Sequence, residues 1–178
     1  EWVTKPGVTS YNCEQIRQVR LEDGGTRVHL YAVSYRADTR GLDGPSLELD
    51  VTSPLPGILR MQAVHFKGVR QKQPRFPLGD QCLPLSVTQT GNRLAISSGD
   101  LRLEITLRPC TMQYFWQDRP LTAVGSRFGS TMLSFIQTPD GPFMRGWLDV
   151  GVGEKVFGLG EHFTALERNG QSIDIWNE

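Results

Sequence analysis

Three observations predict an all-β, antiparallel fold for this chain. Short runs of alternating apolar and polar residues, roughly eleven or twelve of them, recur at a spacing of about 8 to 12 residues. Clusters of Gly, Pro, Asn and Asp stand between them and turn the chain. Nothing reads as an amphipathic helix beyond one turn near Phe163. Even spacing with turn punctuation marks a sandwich or a barrel, and periodicity alone does not choose between the two.

Residues 1–12, with Pro6, Gly7 and scattered polar groups, are expected to be an irregular lead-in. Runs over Glu14–Leu21 and Thr26–Tyr35 flank Glu22-Asp23-Gly24-Gly25, a hairpin signal. In the second run Val28, Leu30 and Ala32 face one way and Arg27, His29 and Tyr31 the other. A loop over 36–45 leads to Ser46–Thr52, where Leu47, Leu49 and Val51 alternate with Glu48 and Asp50, before Pro54 and Pro56 break the run. A strand is expected over Ile58–Phe66, then a solvated basic loop, Lys67–Pro77. Its only aromatic is Phe76, too little interleaving for a nucleic-acid surface.

Leu83–Gln89, Arg93–Ser97 and Asp100–Leu107 follow, joined by Thr90-Gly91-Asn92 and Ser98-Gly99. In the last run Leu101, Leu103, Ile105 and Leu107 alternate with Arg102, Glu104, Thr106 and Arg108, so one face is core and the other wet. Thr111–Trp116 and Pro120–Val124 make a hairpin around Gln117-Asp118-Arg119, followed by a Gly-Ser loop over 125–130. Thr131–Gln137 and Met144–Val150 are separated by Thr138-Pro139-Asp140-Gly141, and Ile173–Trp176 is a candidate final strand.

At 178 residues the chain suits one domain; a (β/α)8 barrel of about 250 residues does not fit beside it. Nineteen basic and nineteen acidic side chains cancel, so no global field draws nucleic acid or an acidic membrane. No apolar run is long enough to span a membrane, and no basic start leads into an apolar segment as in a signal peptide. Cys13, Cys82 and Cys110 form neither a complete disulfide framework nor a Cys-x-x-Cys knuckle. They read as reduced thiols and hence a cytoplasmic protein, with one disulfide plus a free thiol as the alternative.

The end of the chain is different. Gly151, Gly153, Gly158 and Gly160 free the backbone within ten residues, while Val156, Phe157 and Leu159 need burial and Glu154, Glu161 and His162 need water or a partner. This suits a loop clamped between packed bodies better than a linker. A phosphate loop is excluded because the third glycine, a Gly-Lys-Ser/Thr and a following helix are all missing.

The run Val156-Phe157-Gly158-Leu159-Gly160-Glu161-His162-Phe163-Thr164-Ala165-Leu166, with Arg168-Asn169-Gly170-Gln171 and Ile175-Trp176-Asn177, resembles the end of the N-terminal β-domain of glycoside hydrolase family 31. Within the family it is most similar to the α-xylosidase subgroup. The resemblance implies a galactose-mutarotase-like β-sandwich over 1–178, with 151–178 as the loop and junction toward a (β/α)8 catalytic barrel that this chain lacks. It implies a parent that hydrolyses terminal α-linked xylose or glucose with retention, through aspartates on that barrel. The chain alone is then expected to be inactive, with no catalytic residue, cofactor or metal of its own. Its expected partners are the barrel and, for the parent, a carbohydrate substrate; the parent is also a candidate homo-oligomer.

Retaining hydrolysis needs two carboxylates about 5 to 5.5 Å apart. Glu154 and Glu161 qualify by type, but neither falls on a catalytic position of the family. The resemblance places Phe157, Gly158, Gly160, Glu161, His162, Phe163, Trp176 and Asn177 in a loop between domains, beside the active-site mouth. There Glu161 and His162 are expected to orient the loop through amides freed by Gly158 and Gly160, and Trp176 to anchor the junction. Phe157, Leu159, Phe163 and Trp176 should then form an exposed apolar patch wherever the barrel is absent. Two alternatives compete: a free-standing carbohydrate-binding module using Trp116, Trp147 or Tyr114, and a mutarotase-like isomerase using His and Glu as acid and base. His29, His65 and His162 lack the spacing mutarotases share, and the scattered His and Cys residues do not make a zinc site.

Overall fold

The computed structural model describes residues 6–36, 44–65, 81–124, 126–127, 130–131, 133–160 and 163–175. It is built of antiparallel strands with no α-helix among those residues. The strands are β1 (Thr9–Glu22), β2 (Arg27–Arg36), β3 (Ser46–Thr52), β4 (Arg60–Val64), β5 (Ser86–Thr90), β6 (Arg93–Ser98), β7 (Leu101–Leu107), β8 (Cys110–Trp116), β9 (Arg119–Val124), β10 (Ser126–Arg127), β11 (Ser130–Thr131), β12 (Leu133–Thr138) and β13 (Gly141–Gly146). A six-stranded sheet has the order β13-β12-β1-β2-β3-β4 and a five-stranded sheet the order β5-β6-β7-β8-β9, with a small β10-β11 hairpin besides. The chain meanders through four strands of the first sheet, crosses to lay down the whole second sheet, and returns to pair β12 against the free side of β1.

Alternation puts matching apolar rows on the facing sides of the two sheets. In the first sheet Val19, Leu30, Leu49 and Ala63 lie side by side, next to a row of Leu21, Val28, Val51 and Met61. The second contributes Leu94, Ile105, Met112 and Val124 as one row and Ile96, Leu103 and Tyr114 as another. Val28, Leu30, Leu47, Leu49, Val51, Leu94, Ile96 and Leu103 are wholly buried and share one core with both sheets. This is a sandwich, the choice that periodicity left open. Ser53 Oγ and Ser98 Oγ, 2.6 Å apart, add a buried hydrogen bond between the segment after β3 and the end of β6.

Several expected boundaries shift, each for a local reason. The lead-in over 1–12 is a strand from Thr9, because Asn12 and Ser10 join a polar network: Ser134 Oγ donates to Asn12 Oδ1 at 2.8 Å and Arg145 Nη2 to Ser10 Oγ at 3.1 Å. Alternation does not reveal such a strand. β13 occupies Gly141–Gly146 rather than Met144–Val150, since the turn at Pro139–Asp140 is tight enough to pair Thr138 with Gly141, and β12 runs out at Leu133 opposite Gly146. Thr138 Oγ1 closes that turn by accepting from Asp140 N at 3.2 Å.

Leu83 and Leu85 lie outside β5 because their amides bond Ser53 O and Gly25 O instead of a neighbouring strand. Part of the loop over 125–130 is the β10–β11 hairpin. Near Phe163 the chain bends without forming a helical turn, and 173–175 carries no strand. Phe66 and the basic segment Lys67–Pro77 lie outside the described residues.

Candidate functional site

The chain divides into two compact units, Glu1–Leu148 and Asp149–Glu178, and the predicted site falls in the second. Gly158, Leu159 and Gly160 have φ of +108°, +64° and +81°. Two glycines remove the Cβ clash of the left-handed region, and Leu159 accepts it. A backbone tie closes the loop that follows: Phe157 bridges Glu167, and Arg168 N donates to Val156 O at 2.7 Å.

Two side chains hold this loop, and both stand in the run that carries the family resemblance, although neither was assigned a role from the sequence. Arg168 is 5% exposed. Its Nε donates to Gly158 O at 3.1 Å and its Nη2 to Gly160 O at 3.4 Å. Its Nη1 donates to Ala165 O at 2.9 Å, to Gln171 Oε1 at 3.4 Å and to Thr164 Oγ1. A guanidinium has five N–H donors in a fixed fork and no acceptor, which suits a turn that leaves several carbonyls unpaired inside. Asn169 then clasps the approach to the loop, accepting from Val156 N at 2.7 Å and donating to Glu154 O at 2.8 Å. The signal available in the sequence was the glycines themselves: carbonyls freed by left-handed backbone need donors, but Lys155, His162 and Thr164 stand nearer in the sequence than Arg168 and Asn169, so spacing alone does not choose among them.

Among the predicted site residues, Phe157 is 62% exposed and Phe163 fully so, with Leu159 at 48% and Leu166 at 81% beside them. Gly158 and Gly160 present their carbonyls to Arg168. Glu161, His162, Trp176 and Asn177 lie outside the described residues. Glu154 has a local task, since its Oε2 accepts from Gly151 N at 2.7 Å and caps a turn. Lys155 and Glu167 add an exposed ion pair at 2.9 Å, of small energetic weight.

The alternative sites are dispersed. Tyr114 packs on the core, Trp116 lies against Gly57 at the end of β8, and Trp147 receives the Arg145 guanidinium over its ring at 5.1 Å, beyond the edge strand of the other sheet. His29 Nδ1 hydrogen bonds Asp50 Oδ1 at 2.7 Å across β2 and β3, with Arg27 Nη1 3.7 Å from the other carboxylate oxygen. His65 Nδ1 bonds Ser46 O at 3.0 Å and its ring packs on Phe135 with centroids 4.6 Å apart. The two rings therefore serve separate structural contacts. Among the described residues no group of three or more His, Cys, Asp and Glu side chains could hold a metal ion. An open, mostly apolar cavity of about 480 Å³ lies over His65, Phe135, Phe143 and Met144.

Comparison with known proteins agrees with the architecture. The chain is 33% identical to an α-xylosidase of Emericella nidulans over 99% of its own length and 25% of that protein. It is 25% identical to the α-xylosidase XylQ of Lactiplantibacillus pentosus over 88% of its length and 21% of the relative. The chain thus spans about a quarter or less of these curated relatives. Among solved structures, the cycloalternan-forming enzyme of Listeria monocytogenes, crystallised with a pentasaccharide substrate, superposes with a TM-score of 0.66 at 18% identity. That match covers 96% of this chain and 15% of the enzyme, and at such identity it supports the fold alone. The model of the glycosyl hydrolase 31 N-terminal galactose mutarotase-like domain matches residues 48–178, and the chain belongs to that family.

Proposed function

We propose that this chain is the non-catalytic N-terminal sandwich of a retaining α-glycosidase, an α-xylosidase or α-glucosidase that removes terminal α-linked sugars. One observation carries the reading: nearly the whole chain aligns with α-xylosidases while spanning only 25% and 21% of them. The local chemistry supports it, because Glu154, the described member of the candidate carboxylate pair, is engaged in capping its own turn. The segment from Asp149 onward is then the junction to the catalytic barrel, and its exposed Phe157, Phe163 and Leu166 are the surface the barrel covers.

The test compares the whole natural polypeptide with the 178-residue chain on p-nitrophenyl α-D-xylopyranoside and the matching glucoside. Turnover by the whole polypeptide, with α-xylose or α-glucose as the first-formed anomer, and none by the chain is expected. Turnover by the chain alone, or a natural polypeptide of the same mass as the chain, overturns the proposal.

A further inference from the structure

Two of the three cysteines meet inside the sandwich. Cys13 lies on β1 of the six-stranded sheet and Cys110 opens β8 of the five-stranded sheet. Both are wholly buried in the shared core. No backbone ladder connects β1 with β8, but the two strands approach each other across the core, and Cys13 and Cys110 are interacting neighbours there. Cys82 is different: it is half-buried, precedes β5, and lies in no strand. All three are free thiols in this structure.

We propose that Cys13 and Cys110 form a disulfide tying the two sheets together when the chain folds in the presence of a small-molecule disulfide oxidant, and that Cys82 stays outside the bond. One cysteine thiolate attacks the oxidant RSSR, forming a mixed disulfide and releasing one RSH after protonation. The second thiolate attacks the chain sulfur of that mixed disulfide and releases the other RSH. Two cysteine thiols are oxidised to one disulfide, and the oxidant is reduced to two thiols.

Burial sets the timing. The thiolate is the reactive form, and in the folded chain the hydrogen bond with Cys110, followed by burial, holds the Cys13 thiol well above its ordinary pKa. With both sulfurs shut away from solvent, exchange belongs to the stage before the sheets close. Once made, the bond is equally shielded from reductant. The redox state met during folding is thereby retained by the native domain.

The test uses the natural polypeptide carrying this chain, unfolded in guanidinium with dithiothreitol and refolded with either oxidised glutathione or dithiothreitol. Each sample is alkylated in denaturant and digested with trypsin without reduction; cleavage at Arg17, Arg93 and Arg102 puts the three cysteines in separate peptides. The glutathione arm is expected to contain the Cys13–Cys110 linked peptide with Cys82 accessible to glutathione or alkylation, and the dithiothreitol arm three alkylated thiols. The closed loop of nearly a hundred residues should raise the melting midpoint of the sandwich by about 10 °C. Cys82→Ala should keep that rise and Cys110→Ala lose it. Mapping the unsubstituted protein decides the matter even where a cysteine variant does not fold. Cys13 and Cys110 both alkylated after oxidative refolding, or a link made through Cys82, overturns the proposal; rapid linkage on adding glutathione to protein already folded overturns its timing.

Discussion

Arg168 shows how one side chain shapes a loop. Its fork reaches the carbonyls of Gly158, Gly160 and Ala165, so truncation strands several acceptors at once. For Arg168→Ala we expect amide protection at Val156 and Arg168 to fall by about 100-fold in hydrogen exchange, a loss of roughly 3 kcal/mol. The melting of the sandwich should stay within a degree or two. Arg168→Lys should recover little, since an ammonium has no fork with which to span those carbonyls. A second prediction concerns alkaline pH in the reduced protein. The Cys13 thiol is held above its ordinary value of 9.0 by its hydrogen bond with Cys110 and by burial, and burial likewise raises the Tyr114 phenol above 10.0. The unfolded chain therefore loses these protons first. Stability is intact below pH 9 and falls as pH rises beyond it, by up to about 1.4 kcal/mol per pH unit for each group. Chemical denaturation between pH 8 and 11 checks this, and a flat profile would contradict it.

At the level of elements, strands that alternate cleanly and strands that do not are stabilised differently. β3 appeared in the sequence at the boundaries it has in the structure, because Leu47, Leu49 and Val51 all need the same face. β7 is similar, and Leu103→Ala at its buried centre should cost about 2 to 5 kcal/mol in denaturant unfolding. Leu121→Ser on the exposed part of β9 should cost under about 0.5 kcal/mol. The approach to β3 is constrained by space rather than apolarity. A Cβ at Gly44 would sit 2.1 Å from the Ser34 carbonyl oxygen, which is backbone and cannot swing aside. Gly44→Ala is thus expected to lower the melting midpoint by at least several degrees, a loss absent in Gly146→Ala, where a Cβ meets nothing. The opening of β1 illustrates the opposite limit: Ser10 and Asn12 belong in a strand because Ser134 and Arg145 are there to meet them.

For the whole molecule, the exposed Phe157, Leu159, Phe163 and Leu166 on one short loop decide behaviour in solution. Apolar groups gathered on a loop favour a partner. The isolated 178-residue chain should therefore associate as its concentration rises in light scattering, and Phe163→Ser with Leu166→Ser should shift it toward monomer. A strict monomer at high concentration would count against a covered surface. On the proposed function the whole polypeptide should not respond to those two substitutions in the same way, since the loop would there be covered by the barrel.

Composition and periodicity by themselves determined the all-β class, most of the strands and the polarity of their faces, because a half-buried strand must alternate whatever it packs against. The glycine-rich motif around Phe157-Gly158-Leu159-Gly160 determined the family. Periodicity left sandwich and barrel open, since the choice depends on which sheet each apolar row meets across the core; the resemblance carried by the terminal motif implied the sandwich, and the two packed sheets bear it out. Tertiary structure alone decided that Cys13 meets Cys110 across 97 residues of chain, and that Arg168 and Asn169 hold the terminal loop. These are contacts between residues whose own neighbours in sequence gave no reason to pair them.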